Sequence, residues 1–351
     1  MKKLRILVVG AGLMGKQHIR LIKENKNCEL AAIISIDDEA NQLVANTNQT
    51  QLYPSLEIFL NKEQVDGVII ASPNQFHAEQ ARLCIEAEIP VLIEKPITSS
   101  IEDGLALVDL IKRKNAKALI GHHRIYSPLM IEAKKIIQSG KLGRLVSIIG
   151  SAQFYKPDNY FLEGPWRKEL GGGPILINLI HEIGNLRMLC GEIRAVQAIS
   201  SSAIRKFPVE DTVAINFQFE NGTLGSFMLS DTASSSHSWE HTSKENPNYP
   251  YCNDQDCYFI AGTLGSLNIP TMIIKSFKKD LVPSWLNEFT QEKITISRND
   301  PLNSQLKHFI DVINGNAEPC VSAIDGLRNL QVAWAIRDSG KKNRLINVKY
   351  Q

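Results

Sequence analysis

An apolar run closed by three glycines at fixed spacing constrains this chain more than any other feature. Ile6 to Val9 reads as a buried parallel strand. It ends in Gly10-x-Gly12-x-x-Gly15, and Lys16 to Lys23 then places apolar residues at helical spacing. Strand, glycine turn and helix, in that order, are what a dinucleotide fingerprint requires. The first glycine makes the tight turn, the second lets a pyrophosphate approach the backbone, and the third lets the helix pack closely on its strand. The helix N-terminus then offers unpaired N–H groups and a positive dipole end to the phosphates. A glycine turn with no ligand is the plainer alternative. The motif's place in the first βα unit favours the fingerprint.

Length and charge bound the rest. A chain of 351 residues suggests two domains. With 43% hydrophobic and 22% charged residues its balance is that of an ordinary globular protein, and a formal net charge of +2 points to neither nucleic acid nor an anionic membrane. No apolar stretch approaches the ~20 residues of a membrane helix. Met1-Lys2-Lys3-Leu4 leads straight into the first strand, so no signal peptide is expected. The cysteines are scattered and form no CxxC pair, which fits reduced thiols in the cytoplasm.

In the first half, Glu29 to Ile36 reads as the second strand, whose end would face a ribose. The position ~20 residues past the last glycine, where an acid selects NAD, is Ser35, and Asp37 and Asp38 follow it. Asp37 is a candidate for the ribose, and NAD against NADP stays open. The plainer reading of the two acids is a helix N-cap. Val65 to Ser72 is the next strand, followed by Ser72-Pro73-Asn74 and His77 at a carboxyl edge where ligands sit. Asn74 and His77 could touch the cofactor, or Asn74 could simply cap the next helix. Pro90 to Ile93 leads into Glu94-Lys95-Pro96. A lysine there can bond a substrate oxygen and stabilise an alkoxide as hydride leaves the carbon; the alternative is a surface lysine paired with Glu94. Ala118 to Gly121 closes the domain, and His123-Arg124 lies on the exit.

In the second half, Arg144 to Phe154 reads as a strand and Tyr155 to Phe161 as a loop, with Trp166-Arg167 beyond. Gly171 to Gly173 introduces a helix over Ile175 to Leu189, in which Asn178, His181 and Asn185 should share one face. An imidazole so presented can take a proton from a substrate hydroxyl, although a lone helix histidine is more often structural. From Ala195 onward, period-two segments and an Asn221-Gly222 hairpin signal predict a mainly antiparallel sheet. Helices over Gln305 to Asn314 and Ala323 to Gly340 close the chain. His237, His241, Cys252 and Cys257 match no standard zinc spacing, so no metal is expected.

Together these residues resemble the Gfo/Idh/MocA oxidoreductases, the glucose–fructose oxidoreductase and inositol dehydrogenase group. The likeness rests on Gly10-Ala11-Gly12-Leu13-Met14-Gly15, Ser72-Pro73-Asn74 to His77, Glu94-Lys95-Pro96, His123-Arg124, Trp166-Arg167, and the triple glycine with His181. It implies an α/β protein: an N-terminal Rossmann dinucleotide-binding domain over 1–122, then a substrate-binding and oligomerisation α/β domain with an open, mainly antiparallel sheet over 123–351. The closing helix is free to pack back on the first domain. The resemblance implies reversible hydride transfer between NAD or NADP and a sugar, polyol or related compound, in a homodimer or homotetramer. It makes Lys95 and His181 the catalytic pair. The fingerprint with Leu13 and Met14, Ser35, Asp37, Ser72, Pro73, Asn74, His77, Glu94, Lys95, Trp166 and Arg167 would bind cofactor. Lys95, His123, Arg124, Tyr155, Asn178 and His181 would bind substrate. Two positions depart from the family pattern: Ile177 and Gly184 stand where many members carry Asp. An Asn such as Asn178 cannot ionise to replace them. A cofactor-binding sensor of the same fold is therefore the alternative.

Overall fold

The computed structural model describes residues 3–278 and 281–350. Two compact units are present. One comprises the chain up to His123 together with Leu302–Leu330; the other comprises Arg124–Pro301 with Gln331–Tyr350.

The first unit is built on a six-stranded parallel sheet. Its elements in order are β1 (Leu4–Val9), α1 (Leu13–Glu24), β2 (Cys28–Ile34), α2 (Glu39–Thr47), β3 (Leu52–Tyr53), α3 (Leu56–Leu60), β4 (Gly67–Ile70), α4 (His77–Glu86), β5 (Val91–Glu94), α5 (Ile101–Lys114) and β6 (Ala118–Gly121). The strand order is β3-β2-β1-β4-β5-β6. The order therefore reverses between β1 and β4, and the carboxyl ends of those strands form the crevice where such sheets bind ligands. Every residue of β4, β5 and β6 is buried. Each Val, Leu or Ile so buried is worth roughly 1.5–3 kcal/mol relative to exposure, which explains the unbroken apolar runs.

The second unit holds α6 (Pro128–Gln138), β7 (Leu145–Gln153), α7 (Asp158–Leu162), α8 (Ile180–Cys190), β8 (Ile193–Ser201), β9 (Thr212–Phe219), β10 (Leu224–Ser230), α9 (Trp239–Thr242), β11 (Tyr258–Gly262), β12 (Gly265–Ile269), β13 (Ile273–Ser276) and β14 (Thr290–Lys293). After these come α10 (Pro301–Ile313), α11 (Ala323–Lys342) and β15 (Ile346–Asn347). The nine-stranded sheet runs β14-β13-β12-β11-β7-β10-β9-β8-β15. All its pairs are antiparallel except β7 with β10. The turn between β9 and β10 is Asn221-Gly222, with Gly222 at φ +87°. Alternation along β10 (eBeBeBB in exposed and buried positions) buries one sheet face and exposes the other.

Helix α10 and the first turns of α11 belong to the first unit. Phe309 and Ile313 of α10 pack on Gly67 of β4, and Gly326 of α11 lies against Ile97 and Ile120. One local expectation fails. Ile175–Leu179 is a π-helical stretch that precedes α8, not part of a single α-helix. A π segment breaks the 3.6-residue period, so spacing alone misplaces side chains across it. Among the described residues no helix is long and apolar enough to cross a membrane.

Candidate functional site

The glycine turn has the geometry its spacing demands. Gly10 lies at φ +97°, and a Cβ there would sit 2.6 Å from Ala71 O and Ser72 N. A Cβ on Gly15 would lie 1.9 Å from Gly10 O. Neither position admits a side chain. Gly12 is different: it is exposed, and a Cβ there would meet nothing within 4 Å. Its glycine is unexplained by packing and leaves an open approach to the backbone. Gly12 is the N-cap of α1 with no side-chain cap bond, and no acid lies in the first turn. The first N–H groups of a helix have no intrahelical acceptor, so the turn fits a diphosphate. Leu13 is 66% exposed and Met14 half-buried on the same turn.

At the end of β2, Ser35 is half-buried and its N–H donates to Tyr53 O at 3.2 Å. Asp38 caps α2 by accepting from Asn41 N at 2.8 Å. Asp37 is exposed and accepts from Gln42 Nε2 at 2.7 Å. The two acids thus divide: one caps, the other stands at the strand's edge.

At the end of β4, Ser72 Oγ donates to Gln80 Oε1 at 2.6 Å. Pro73 is exposed, and Asn74 begins a short 3-10 turn in which it makes no capping bond. The capping alternative for Asn74 is therefore not realised. His77 turns inward. It is 1% exposed, with Nδ1 at 2.8 Å from Pro96 O and Nε2 at 2.9 Å from Ser72 O. Each ring nitrogen faces a backbone carbonyl, and the neutral ring donates to one of them, so the expected cofactor contact gives way to a structural one. Burial pushes this imidazole below its ordinary value, while the two carbonyls and Glu94 pull it back.

Glu94 is also buried, its Oε1 2.8 Å from His18 Nε2. Burial would raise its carboxyl, but the bond from His18 together with the charges of His18, His123 and Lys95 outweighs it, and the net direction is down. Its expected cofactor contact is thus replaced by a bond to the fingerprint helix. Lys95, next in the chain, is half-exposed at the carboxyl edge of β5, and His123 is half-buried beyond β6.

In the second unit, Arg124 is 5% exposed. Nη1 donates to Glu182 Oε1, and Nη2 donates to Glu240 Oε1 at 2.6 Å. Tyr258 OH donates to the other Glu182 oxygen and accepts from Asn185 Nδ2 at 2.9 Å. Burial raises Glu182 against the pull of Arg124, whereas for Glu240 the guanidinium, the hydrogen bonds it accepts and Lys156 together outweigh burial and hold it low. Arg124 was expected on substrate. Its fork is instead filled by two carboxylates, and it ties α8 to α9. Asn185 faces this core, so the expected single face of Asn178, His181 and Asn185 is split. Asn178 lies in the π stretch, whereas His181 and Asn185 lie in α8.

Asn178 Oδ1 accepts from Lys156 Nζ at 2.6 Å. Lys156 is 8% exposed, lies 4.0 Å from Asp231 Oδ2, and sits over the Tyr160 ring at 4.6 Å. Arg205 Nε bonds the other Asp231 oxygen at 2.8 Å. Arg167 stacks on Tyr160, 3.9 Å from the ring centroid. Trp166 and Tyr155 are exposed, at 42% and 56%. His181, three residues past Asn178, opens α8 and is 8% exposed. Glu210 Oε1 accepts from Ile175 N at 3.0 Å and so holds the start of the π stretch before α8. Sequence reasoning missed Lys156, Glu182, Glu210 and Tyr258. The visible signals were a lysine directly after Phe154-Tyr155 and an acid directly after the singled-out histidine.

Comparisons with known proteins agree with this architecture. A family model described as "Oxidoreductase family, NAD-binding Rossmann fold" matches residues 4–122, and the "GFO/IDH/MocA C-terminal domain" matches 130–268. Inositol 2-dehydrogenase of Corynebacterium glutamicum (strain R) is 34% identical over 152 residues, 42% of this chain and 45% of that protein. The match thus spans under half of that relative. Levoglucosan dehydrogenase of Pseudarthrobacter phenanthrenivorans is 28% identical over 270 residues, 64% of this chain and 67% of the relative. Scyllo-inositol dehydrogenase from Lactobacillus casei, solved with bound NAD(H) and scyllo-inositol, superposes with a TM-score of 0.79 at 23% identity over 99% of both chains, which shows a shared fold. With a Rossmann domain and the matching C-terminal domain in that order, the chain belongs to the Gfo/Idh/MocA oxidoreductase family.

Proposed function

We propose that the protein is an NAD-dependent dehydrogenase or reductase acting on the CH–OH or keto group of a sugar, polyol or related compound. The observation that carries the reading is Gly12. Its Cβ position is open and exposed, at an uncapped helix N-terminus beside two glycines that packing requires. Gly12, Leu13, Met14 and Gly15 bind the diphosphate through their backbone. Asp37, the exposed carboxylate after β2, takes the ribose hydroxyls and disfavours a 2′-phosphate. Asn74 and the half-buried Ser72 border the same edge, and Trp166 and Arg167 complete the cofactor contacts. When bound, the cofactor accepts or supplies the hydride.

Lys95 donates a hydrogen bond to the substrate oxygen, and its charge stabilises the alkoxide as it develops. His181 takes the hydroxyl proton in oxidation and returns it in reduction. His123, Tyr155 and Asn178 contact the substrate. Asn178, bonded to Lys156, offers an oriented amide near the place where many relatives carry an acid. The names of the relatives, inositol and levoglucosan dehydrogenases, favour cyclic polyols and sugars as the first compounds to screen. All six cysteines are unbridged, which fits a cytoplasmic enzyme. An exposed row on the open sheet face, including Ile149, Ile199, Met228 and Phe259, suits a homo-oligomer.

The test is a fluorescence titration with NADH and NADPH, followed by a turnover screen of sugars, inositols and their keto forms. Lys95→Ala should abolish turnover and leave NADH affinity unchanged; loss of NADH binding would refute its assigned role. Tight NADH binding with no turnover on any compound would favour the sensor reading that Ile177 and Gly184 motivate.

A further inference from the structure

Every residue from Val91 to Thr98 is buried except Lys95. The chain on either side of that lysine is held by a buried imidazole, and each imidazole comes from a different helix. Before it, Glu94 Oε1 meets His18 Nε2 at 2.8 Å, and His18 is 1% exposed on α1. Glu94 Oε2 accepts from the Lys95 backbone N–H at 3.3 Å. The carboxylate has room because residue 121 is glycine: a Cβ there would sit 2.9 Å from Glu94 Cα. After it, Pro96 O meets His77 Nδ1 at 2.8 Å, while the same ring's Nε2 meets Ser72 O at 2.9 Å.

We propose that His18 and His77 are positioning residues for Lys95. They bracket residues 94 to 96, tie that segment to the helix of the glycine turn and to the end of β4, and leave the lysine as the one residue from 91 to 98 that is not buried. Buried polar groups must be satisfied, and an unsatisfied or half-satisfied pair costs more than none. Apolar replacement of either histidine therefore shifts the backbone at residue 95. Misplacing a catalytic group by about 1 Å costs on the order of 100-fold in rate. The inference rests on the role assigned to Lys95 above, so its test includes a readout that needs no turnover.

The experiment compares full-length wild type, His18→Leu, His18→Gln, Glu94→Gln and His77→Leu. Reactivity of the Lys95 amine is measured by competitive acetylation and mass spectrometry, against the exposed Lys114 as internal reference. NADH affinity and kcat are measured in parallel, with circular dichroism as the folding control. The expected result is altered Lys95 reactivity and a kcat reduced about 10- to 100-fold in His18→Leu and His77→Leu, with NADH affinity kept. His18→Gln, which still offers Glu94 a donor, should restore both. Wild-type Lys95 reactivity in a folded His18→Leu and in Glu94→Gln overturns the proposal. So does equal loss in His18→Gln accompanied by lost NADH binding, which marks general damage to the fold. If Lys95→Ala keeps its turnover, the catalytic reading fails, while the labelling comparison still decides whether the histidines hold the segment.

Discussion

Replacing Arg124 with alanine tests whether its network is a buried charge cluster that holds α8. The side chains of Arg124 and Glu182 are 7% and 2% exposed, and that of Glu240 is 15% exposed. Removing the cation strands two carboxylates away from water. Breaking a buried pair by deleting one partner costs about 3–5 kcal/mol. At about 2–4 °C per kcal/mol for a unit of this size, Tm should fall by roughly 6–20 °C. The pH dependence gives the sharper signature. Burial lifts Glu182 above its ordinary value against the pull of Arg124, and losing that cation lifts it further. A carboxyl raised in the folded state favours folding at low pH, and this contribution is lost as pH rises from the unfolded value of ~4.3 toward the folded value. Glu240 is held low by Arg124 against burial, and so contributes stability above that same unfolded value; the variant forfeits this contribution. The two effects separate with pH: the Glu240 loss is complete by about pH 5, and the further rise of Glu182 makes the deficit grow above it. Urea and thermal denaturation of wild type and Arg124→Ala at about pH 5 and about pH 8 would measure it. A deficit below about 1 kcal/mol, or one equal at the two pH values, would refute the reasoning.

Four further outcomes can be checked. Gly12→Ala should leave Tm unchanged and weaken NADH binding, whereas Gly15→Ala, whose Cβ would lie 1.9 Å from Gly10 O, should lower Tm and soluble yield. Asp37→Ala should narrow the preference for NADH over NADPH in paired titrations; an unchanged ratio would remove Asp37 from the ribose. Burial pushes the Cys84 and Cys190 thiols up to about 12 and Cys28 to about 11, so a thiol reagent near neutral pH should label exposed Cys320 and spare these three until the protein unfolds. Ile149→Glu, on the open sheet face where Ile149 is 58% exposed, should reduce the mass seen by light scattering if that face joins subunits.

The elements of the fold were legible because each is written locally. A buried parallel strand is a run of apolar residues, a half-exposed strand alternates, and a hairpin turn needs Asn-Gly, so β1, β4 to β6, β9 and β10 can be placed within a few residues. The glycine turn was legible for the same reason, since Gly10 and Gly15 answer to backbone clashes within the motif or with the next strand of the sheet. The bracketing of Lys95 was not. It depends on two histidines, 77 residues before it and 18 before it in sequence, whose inward orientation no periodicity announces.

The amino-acid sequence by itself determined the Rossmann unit and the antiparallel character of the second sheet, and it singled out Glu94-Lys95-Pro96 and His181 as candidates for the chemistry. Tertiary structure alone decided their partners. Arg124 closes on Glu240, 116 positions away, His77 sets its ring between two carbonyls, and Asn178 bonds Lys156 while Asn185 bonds Tyr258. Local sequence encodes backbone shape through sterics and hydrophobic period. The partner of a buried polar group is chosen by whatever the fold brings within about 3 Å, and that choice has no local signature.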